Sequence, residues 1–500
     1  VSLVIRDARV LTLDAEDRQY ERADLWVEGS RIAAIGPDLD LPRDPDRREI
    51  DGNGKLLMPG LINGHFHSSV NHLKGALDSL PLEVFMLYES PGDGPPSSPR
   101  ATYVRTLLGA AEMLKAGVTA VLDDAFFAPH PDTASIDAVL QAYADSGMRA
   151  SVALDQPEVP EADKLPFLED MLPPHLLAEA RRPPSMDAAG LLACYDHLIA
   201  RWHGAEGGRL LAAVSCSAPQ RVTPEYFRAL DALAREHGLA FYAHVLETKL
   251  QRVLGEEKFG GRSLVRYLAD EGLLSDRLNI IHGVWLDDDD IALIREAGAV
   301  VAHNPISNLR LGSGVMPFAK LRDAGVPICL GTDEAIADDS VNLWGVLKTC
   351  GLIHNISTPD YRDWPTAAQI LHCLVQGGAR ALRSPQPVGA LEPGHQADLV
   401  LIDLDSLPFT PLNDLKRQLV YCESGASVRM TIVAGQVVVE DGRILTFDEA
   451  ALRAEARGIA AQAQAEAGPG SASEWLPYYR QMYLQAMGRD VGMRRRVSDA

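Results

Sequence analysis

Eight apolar, strand-like runs alternate with helix-like stretches through the middle of the chain, and this alternation restricts the fold more than any other feature of the sequence. The runs are 57–64, 118–123, 149–154, 209–215, 240–244, 278–282, 299–303 and 327–332. Helix-period patterns separate most of them, at 102–116, 134–146, 224–237, 263–271, 288–296 and 316–324, with final helices at 341–353 and 366–381. The six intervening helices run toward Gly117, Gly147, Gly238, Gly272, Gly298 and Gly325, the expected helix stop. Strands alternating with helices predict a parallel α/β sheet, and eight such units predict a (β/α)8 TIM-type barrel. A doubly wound open sheet shares the same local pattern. Closure is favoured because the candidate ligand residues sit at strand ends, which in a barrel all face one mouth.

The 500 residues exceed a usual single domain, so a large core with an accessory domain is expected. Short β signals fill the start: Leu3-Val4-Ile5, Val10-Leu11-Thr12-Leu13, Leu25-Trp26-Val27 and Ile32-Ala33-Ala34-Ile35, separated by turn residues. A matching set returns at 397–403, 428–433 and 435–439. Both ends therefore predict one small β-sandwich domain, from 1–56 and 391–446, around a barrel at 57–390, with a helical extension at 447–500. Two proline-rich stretches resist the scheme, 156–184 and 88–100; long loops of this kind often act as lids or binding loops. The tail after Gly470 carries Trp475, Tyr478, Tyr479, Met482 and Tyr483 and then turns basic at Arg494-Arg495-Arg496.

Charge excludes some partners. Lys and Arg number 47 against 69 Asp and Glu, a formal charge of -22, so the surface repels phosphate backbones and anionic membranes. No stretch approaches the roughly 20 apolar residues that span a bilayer. The opening Val1-Ser2-Leu3-Val4-Ile5-Arg6 lacks the basic-then-apolar build of a secretory signal. The six cysteines are scattered without a C-x-x-C pair and read as buried reduced thiols. A cytoplasmic protein binding neither nucleic acid nor membrane is the expectation.

The chemistry lies at the strand ends. His65-Phe66-His67 closes the first run, and residues at i and i+2 of a strand point to the same side, so both imidazoles can reach one ion. His244, His282 and Asp333 close other runs. Imidazoles with one carboxylate suit zinc, or secondarily iron, where calcium or magnesium would need oxygens. Such a set leaves room for a water, whose pKa a divalent ion lowers to about 7, supplying hydroxide at neutral pH. Glu247, three residues after His244, could face the same pocket if the chain turns helical there, and a carboxylate beside the ion is suited to moving a proton. Asp287-Asp288-Asp289-Asp290 lacks the spacing of a calcium loop and reads as an acidic helix start.

These motifs, in this order, resemble the amidohydrolase superfamily, most closely its chlorohydrolase/aminohydrolase branch of S-adenosylhomocysteine/methylthioadenosine deaminases, triazine hydrolases, and guanine and cytosine deaminases. The likeness rests on Pro59-Gly60-Leu61-Ile62-Asn63-Gly64-His65-Phe66-His67, on the run from His303-Asn304-Pro305-Ile306-Ser307-Asn308 to Gly314, on Gly331-Thr332-Asp333, and on Gly394-His395-Gln396-Ala397-Asp398-Leu399-Val400. It implies that His65, His67, His244 and Asp333 hold one divalent ion, and that Glu247, His282 and Asp333 serve proton transfer and substrate polarisation. Two-metal members use a carboxylated lysine on strand four; here that strand ends Val214-Ser215-Cys216-Ser217-Ala218-Pro219 without one. Phe85, His303 and Asn304 are the candidate substrate contacts. The Pro-His-Ala-Pro-Tyr type sequence of nucleoside-handling members is replaced by Cys216-Ser217-Ala218-Pro219-Gln220, which speaks against a nucleoside substrate.

The reading is a metal-dependent hydrolytic deaminase of a purine, pterin, pyrimidine or triazine ring, in which metal-bound hydroxide attacks an amidine-like carbon and ammonia leaves. Hydrolysis of another C–X bond, by triazine dechlorination, N-dealkylation or cyclic amide opening, is the alternative, and a non-catalytic scaffold the third. The resemblance also implies a homodimer or larger homo-oligomer.

Overall fold

The computed structural model describes residues 2–89, 97–466 and 472–496. Eight parallel strands close into a barrel. The first, Leu61–His67, pairs with Val118–Phe126, that with Arg149–Asp155, and that with Leu210–Ala212. After one residue the fourth strand resumes as Val214–Ser215 and pairs with Phe241–Val245, followed by Leu278–His282, Val300–His303 and Ile328–Leu330. The eighth strand resumes as Asp333–Glu334 and returns to the first, Asp333 opposite Phe66. Strands four and eight thus each belong to both half-sheets, which settles the architecture in favour of the barrel. Closure leaves no edge, and strands covered on both faces read as continuous apolar runs.

Every barrel strand contributes to one buried cluster, which includes Ile62, Leu122, Ala153, Ala213, Tyr242, Ile281, Ala302 and Cys329. Gly117, Gly147, Gly238, Gly272, Gly298 and Gly325 all have φ between +69 and +85, so the glycine stops act as expected. The helix expected at 366–381 is broken into Ala367–His372, a wider turn at Cys373–Gly377, and Gly378–Leu382. A side chain on Gly377 would meet the Ile328 carbonyl at 1.9 Å, so this segment presses directly on the eighth strand.

The expected first strand, 57–64, is two strands. Lys55–Pro59 pairs antiparallel with Leu399–Asp403 and parallel with Ser2–Leu11, while the barrel strand begins at Leu61. Pro59 has no N–H to give a ladder, and a side chain on Gly60 would meet Thr119 at 2.2 Å. The chain changes sheets there. The domain expected as a β-sandwich of the two chain ends is, among the described residues, one nine-stranded hydrogen-bonded sheet. Leu3, Ile5, Leu25 and Val27 from one end share a core with Leu399, Leu401, Met430 and Ile432 from the other. Arg149, at the start of the third barrel strand, ties the two units together. Its buried guanidinium donates to Asp398 Oδ2 at 2.8 Å, and the Asp398 Oδ1 accepts from Ala434 N at 2.7 Å.

The stretch 156–184 contains helices Glu161–Lys164, Leu168–Met171 and Pro174–Ala180. They pack with helices Leu82–Glu89, Lys249–Lys258 and Ala472–Met487 around Val84, Leu168, Leu176, Leu250, Val253, Tyr479 and Met482. The aromatic tail is therefore a docked helix. Within 88–100, residues 90–96, including Pro91, Pro95 and Pro96, lie outside the described residues; Pro99 opens helix Pro99–Lys115, capped by the Ser98 side chain. Among the described residues no helix is long and apolar enough to cross a membrane.

Candidate metal centre

The C-terminal ends of strands one, five, six and eight deliver His65, His67, His244, His282 and Asp333 to one place. The Asp333 Oδ1 lies 3.3 Å from His65 Nε2 and 3.5 Å from His67 Nε2, and His67 Nε2 lies 3.3 Å from His244 Nε2. His65, His67 and His244 form one trio with ligand atoms within 4.8 Å of one another; His65, His282 and Asp333 form a second.

The far nitrogens fix the tautomers. His67 Nδ1 donates to the Asp124 carbonyl at 2.6 Å, and His244 Nδ1 to the Ser217 carbonyl at 2.7 Å. With their protons spent on carbonyls, both rings turn Nε2 lone pairs toward the centre. His65 Nε2 is buried, facing the Asp333 carboxylate. Burial pushes its pKa down to about 4, despite the hydrogen bond and charge of Asp333 that raise it. Buried imidazoles converging on a carboxylate are the donor set of a transition ion, and the residues fit one. Burial acts to raise the Asp333 carboxyl, but the hydrogen bond from His65 and the fields of His65, His282 and His67 outweigh it and hold the group well below its usual range. Ser307 Oγ donates to Asp333 Oδ2 at 2.6 Å.

Glu247 reaches the centre by a route other than the expected helical turn. Leu246 adopts φ +53, and the following helix begins only at Lys249, capped by Thr248. The left-handed residue swings Glu247 back, so that its Oε2 lies 3.5 Å from His282 Nε2. Burial, then the charges of Asp333 and Glu83, raise the Glu247 carboxyl well above its usual value. Its Oε1 has no hydrogen-bond partner. His282 Nε2 lies 3.7 Å from Asp333 Oδ2, and its Nδ1 donates to Asn308 Oδ1 at 2.9 Å. Ser217, His282 and Asp333 also have positive φ, of +61, +72 and +65. Such backbone costs of order 1–3 kcal/mol each and clusters where function demands it.

Of the other candidates, Phe85 is buried in a cluster with Val70, Leu311, Ile336 and Ala337, the last two only three and four residues past Asp333. Asn304 approaches His282 Nδ1 through its Nδ2 at 3.4 Å. His303 is engaged elsewhere: its Nε2 hydrogen-bonds His354 Nε2 at 2.9 Å, and its ring lies against Phe318. Sequence reasoning gave no role to Asn308, Ser307 or Asp124. The first two stand inside the quoted 303–314 motif; Asp124, two residues before the end of the second strand, acts on His67 through its backbone carbonyl, which its residue type does not announce. The acidic run behaves as expected, Asp287 and Asp290 forming a reciprocal helix cap.

Comparison with known proteins agrees with this geometry. The amidohydrolase family model matches residues 56–438. A 5'-deoxyadenosine deaminase from Methanosarcina mazei is 30% identical over 92% of this chain and 97% of its own. A 5-methylthioadenosine/S-adenosylhomocysteine deaminase from Symbiobacterium thermophilum is 33% identical over 92% and 98%. Two solved structures superpose with a TM-score of 0.81 at 27% identity: an adenosine deaminase from Xanthomonas campestris with bound zinc, and an atrazine chlorohydrolase from Arthrobacter aurescens complexed with zinc. They cover 93% and 91% of this chain, and 98% and 99% of their own. With the barrel, the converging histidines and the family match in agreement, this chain belongs to the amidohydrolase family.

Proposed function

We propose that this chain is a metal-dependent hydrolase that deaminates an aminated nitrogen heterocycle, water entering and ammonia leaving. The observation that carries the reading is the convergence of His65, His67, His244 and Asp333 beside a partnerless carboxylate oxygen of Glu247. The three histidines and Asp333 would hold one ion, zinc by the zinc-bearing neighbours. When bound, such an ion lowers the pKa of its water to about 7.

The chain's own residues then divide the work. Glu247, kept protonatable by burial, gives its proton to the ring nitrogen beside the attacked carbon, so negative charge does not build there. His282, oriented by Asn308 and facing both Glu247 and Asp333, polarises the reacting centre. Asp333, held ionised, accepts the proton released as water adds. The proton taken up by Asp333 then passes to the amine, which leaves as ammonia, and the hydroxyl proton given up as the new carbonyl forms returns to Glu247.

The deaminase relatives favour an aminopurine, as base or nucleoside. Ammonia release from adenine, adenosine and 5'-deoxyadenosine, beside aminated pterins, pyrimidines and triazines, tests it; silence across the panel with a metal-loaded protein contradicts it. The chlorohydrolase neighbour supports a second reading, displacement of chloride from a triazine, consistent with Cys216-Ser217-Ala218-Pro219-Gln220 lacking histidine and tyrosine. Chloride release without ammonia would select it. A homodimer or larger assembly in the cytoplasm belongs to the same proposal. Leu352, Ile356 and Tyr361, 51%, 73% and 73% exposed, offer apolar surface for it, and light scattering would test it.

A further inference from the structure

The segment from helix Ala472–Met487 to Arg496 grips the loops that carry Glu247 and His282. Arg495 Nε donates to the Val284 carbonyl at 2.8 Å and its Nη2 to the Leu286 carbonyl at 2.6 Å. Between those carbonyls sits Trp285, fully buried, whose backbone N–H donates to the Leu246 carbonyl at 2.8 Å. Leu246 is the left-handed residue that aims Glu247, and Val284 stands two residues past His282. The Arg495 carbonyl in turn accepts from Val315 N at 2.8 Å.

A second tie enters from the other side. The ammonium of Lys249, two residues past Glu247 and 8% exposed, donates to the Met487 carbonyl at 2.9 Å, at the end of the tail helix. A third runs through helix Leu82–Glu89, which the tail helix packs against. There Thr248 Oγ1 donates to Glu83 Oε1 at 2.6 Å, and Gln251 Oε1 accepts from Glu247 N at 2.8 Å. A buried backbone carbonyl left without a donor is costly, so these ties hold the loops in one geometry.

We propose that Arg495 and Lys249 are positioning residues, through which the C-terminal segment sets the proton-transfer half of the centre. The inference rests on the function proposed above only for its kinetic readout. In the metal-loaded full chain, Arg495→Ala should lower kcat about tenfold with KM within about twofold, and leave the metal content unchanged. Amide hydrogen exchange should accelerate at 245–249 and 283–286 but not at 63–68, the metal-ligand strand. Arg495→Lys, which replaces the two separated nitrogens of the guanidinium with a single ammonium, should fall between. Lys249→Met gives the same test should Arg495→Ala fail to fold. Wild-type kcat in folded variants, or equal acceleration at all three segments, overturns the proposal. If the wild type turns over none of the heterocycles, the function proposed above fails, and the exchange pattern alone decides this one.

Discussion

The barrel buries two histidine groups, and they differ in what each ring does with its second nitrogen. At the mouth, His67 and His244 give Nδ1 protons to backbone carbonyls and turn their Nε2 atoms to within 3.3 Å of each other, with the Asp333 carboxylate 3.5 Å from His67 Nε2. Behind strand seven, His303 and His354 spend Nε2 on each other, with Cys350 nearby and both Nδ1 atoms partnerless. Burial depresses the ring pKa in both, His65 to about 4 and His354 to about 3. Buried neutral imidazole is therefore no mark of a metal ligand. The mark is a far nitrogen pinned to an acceptor and a carboxylate across the gap.

The widest separation between the groups should come from Glu247→Gln. It should keep the ion and lower kcat by about 10²–10⁴-fold, the usual worth of a positioned proton donor. Stopped ammonia assays beside metal analysis check it, and near-normal turnover would remove Glu247 from its role. Asn308→Ala should cost about 10–100-fold in activity by freeing the His282 ring, with KM changing less than kcat. On the other side, His354→Phe should spare kcat and metal content. It leaves His303 Nε2 unpaired and should lower stability by about 1–3 kcal/mol, read by urea denaturation.

The smallest effect concerns pH. His354 and His72 are lowered to about 3, chiefly by burial. Each protonates near 6.5 when unfolded, so between 6.5 and 3 the unfolded chain binds more protons. Their contribution is complete above pH 6.5 and is lost as pH falls toward 3. Thermal melts across that window should decline more gently in His354→Phe than in wild type; identical slopes would mean that His354 is not buried neutral.

Much of this was legible in sequence. Apolar runs and period-3.6 patterns with glycine stops marked the alternation, since strands buried on both faces need apolar runs and glycine is most at ease in the left-handed turn. The paired histidines followed from strand periodicity. Sheet switching at Gly60 was not legible, because Leu56 to Ile62 is one apolar run and its division depends on distant Thr119 and Asp398. Nor was the turn at Leu246, a leucine with nothing in its type to announce φ +53. The Arg149–Asp398 pair spans 249 positions and no local pattern carries it. Asn308 and Ser307 lay inside a motif whose residues had no assigned partners until the strands converged.

Metal stoichiometry tests the centre most directly. Elemental analysis of wild type, His244→Ala and His354→Ala should give one transition ion per chain, none, and one. An ion retained by His244→Ala, or a second ion lost with His354, would place the metal at the wrong histidines and contradict the account.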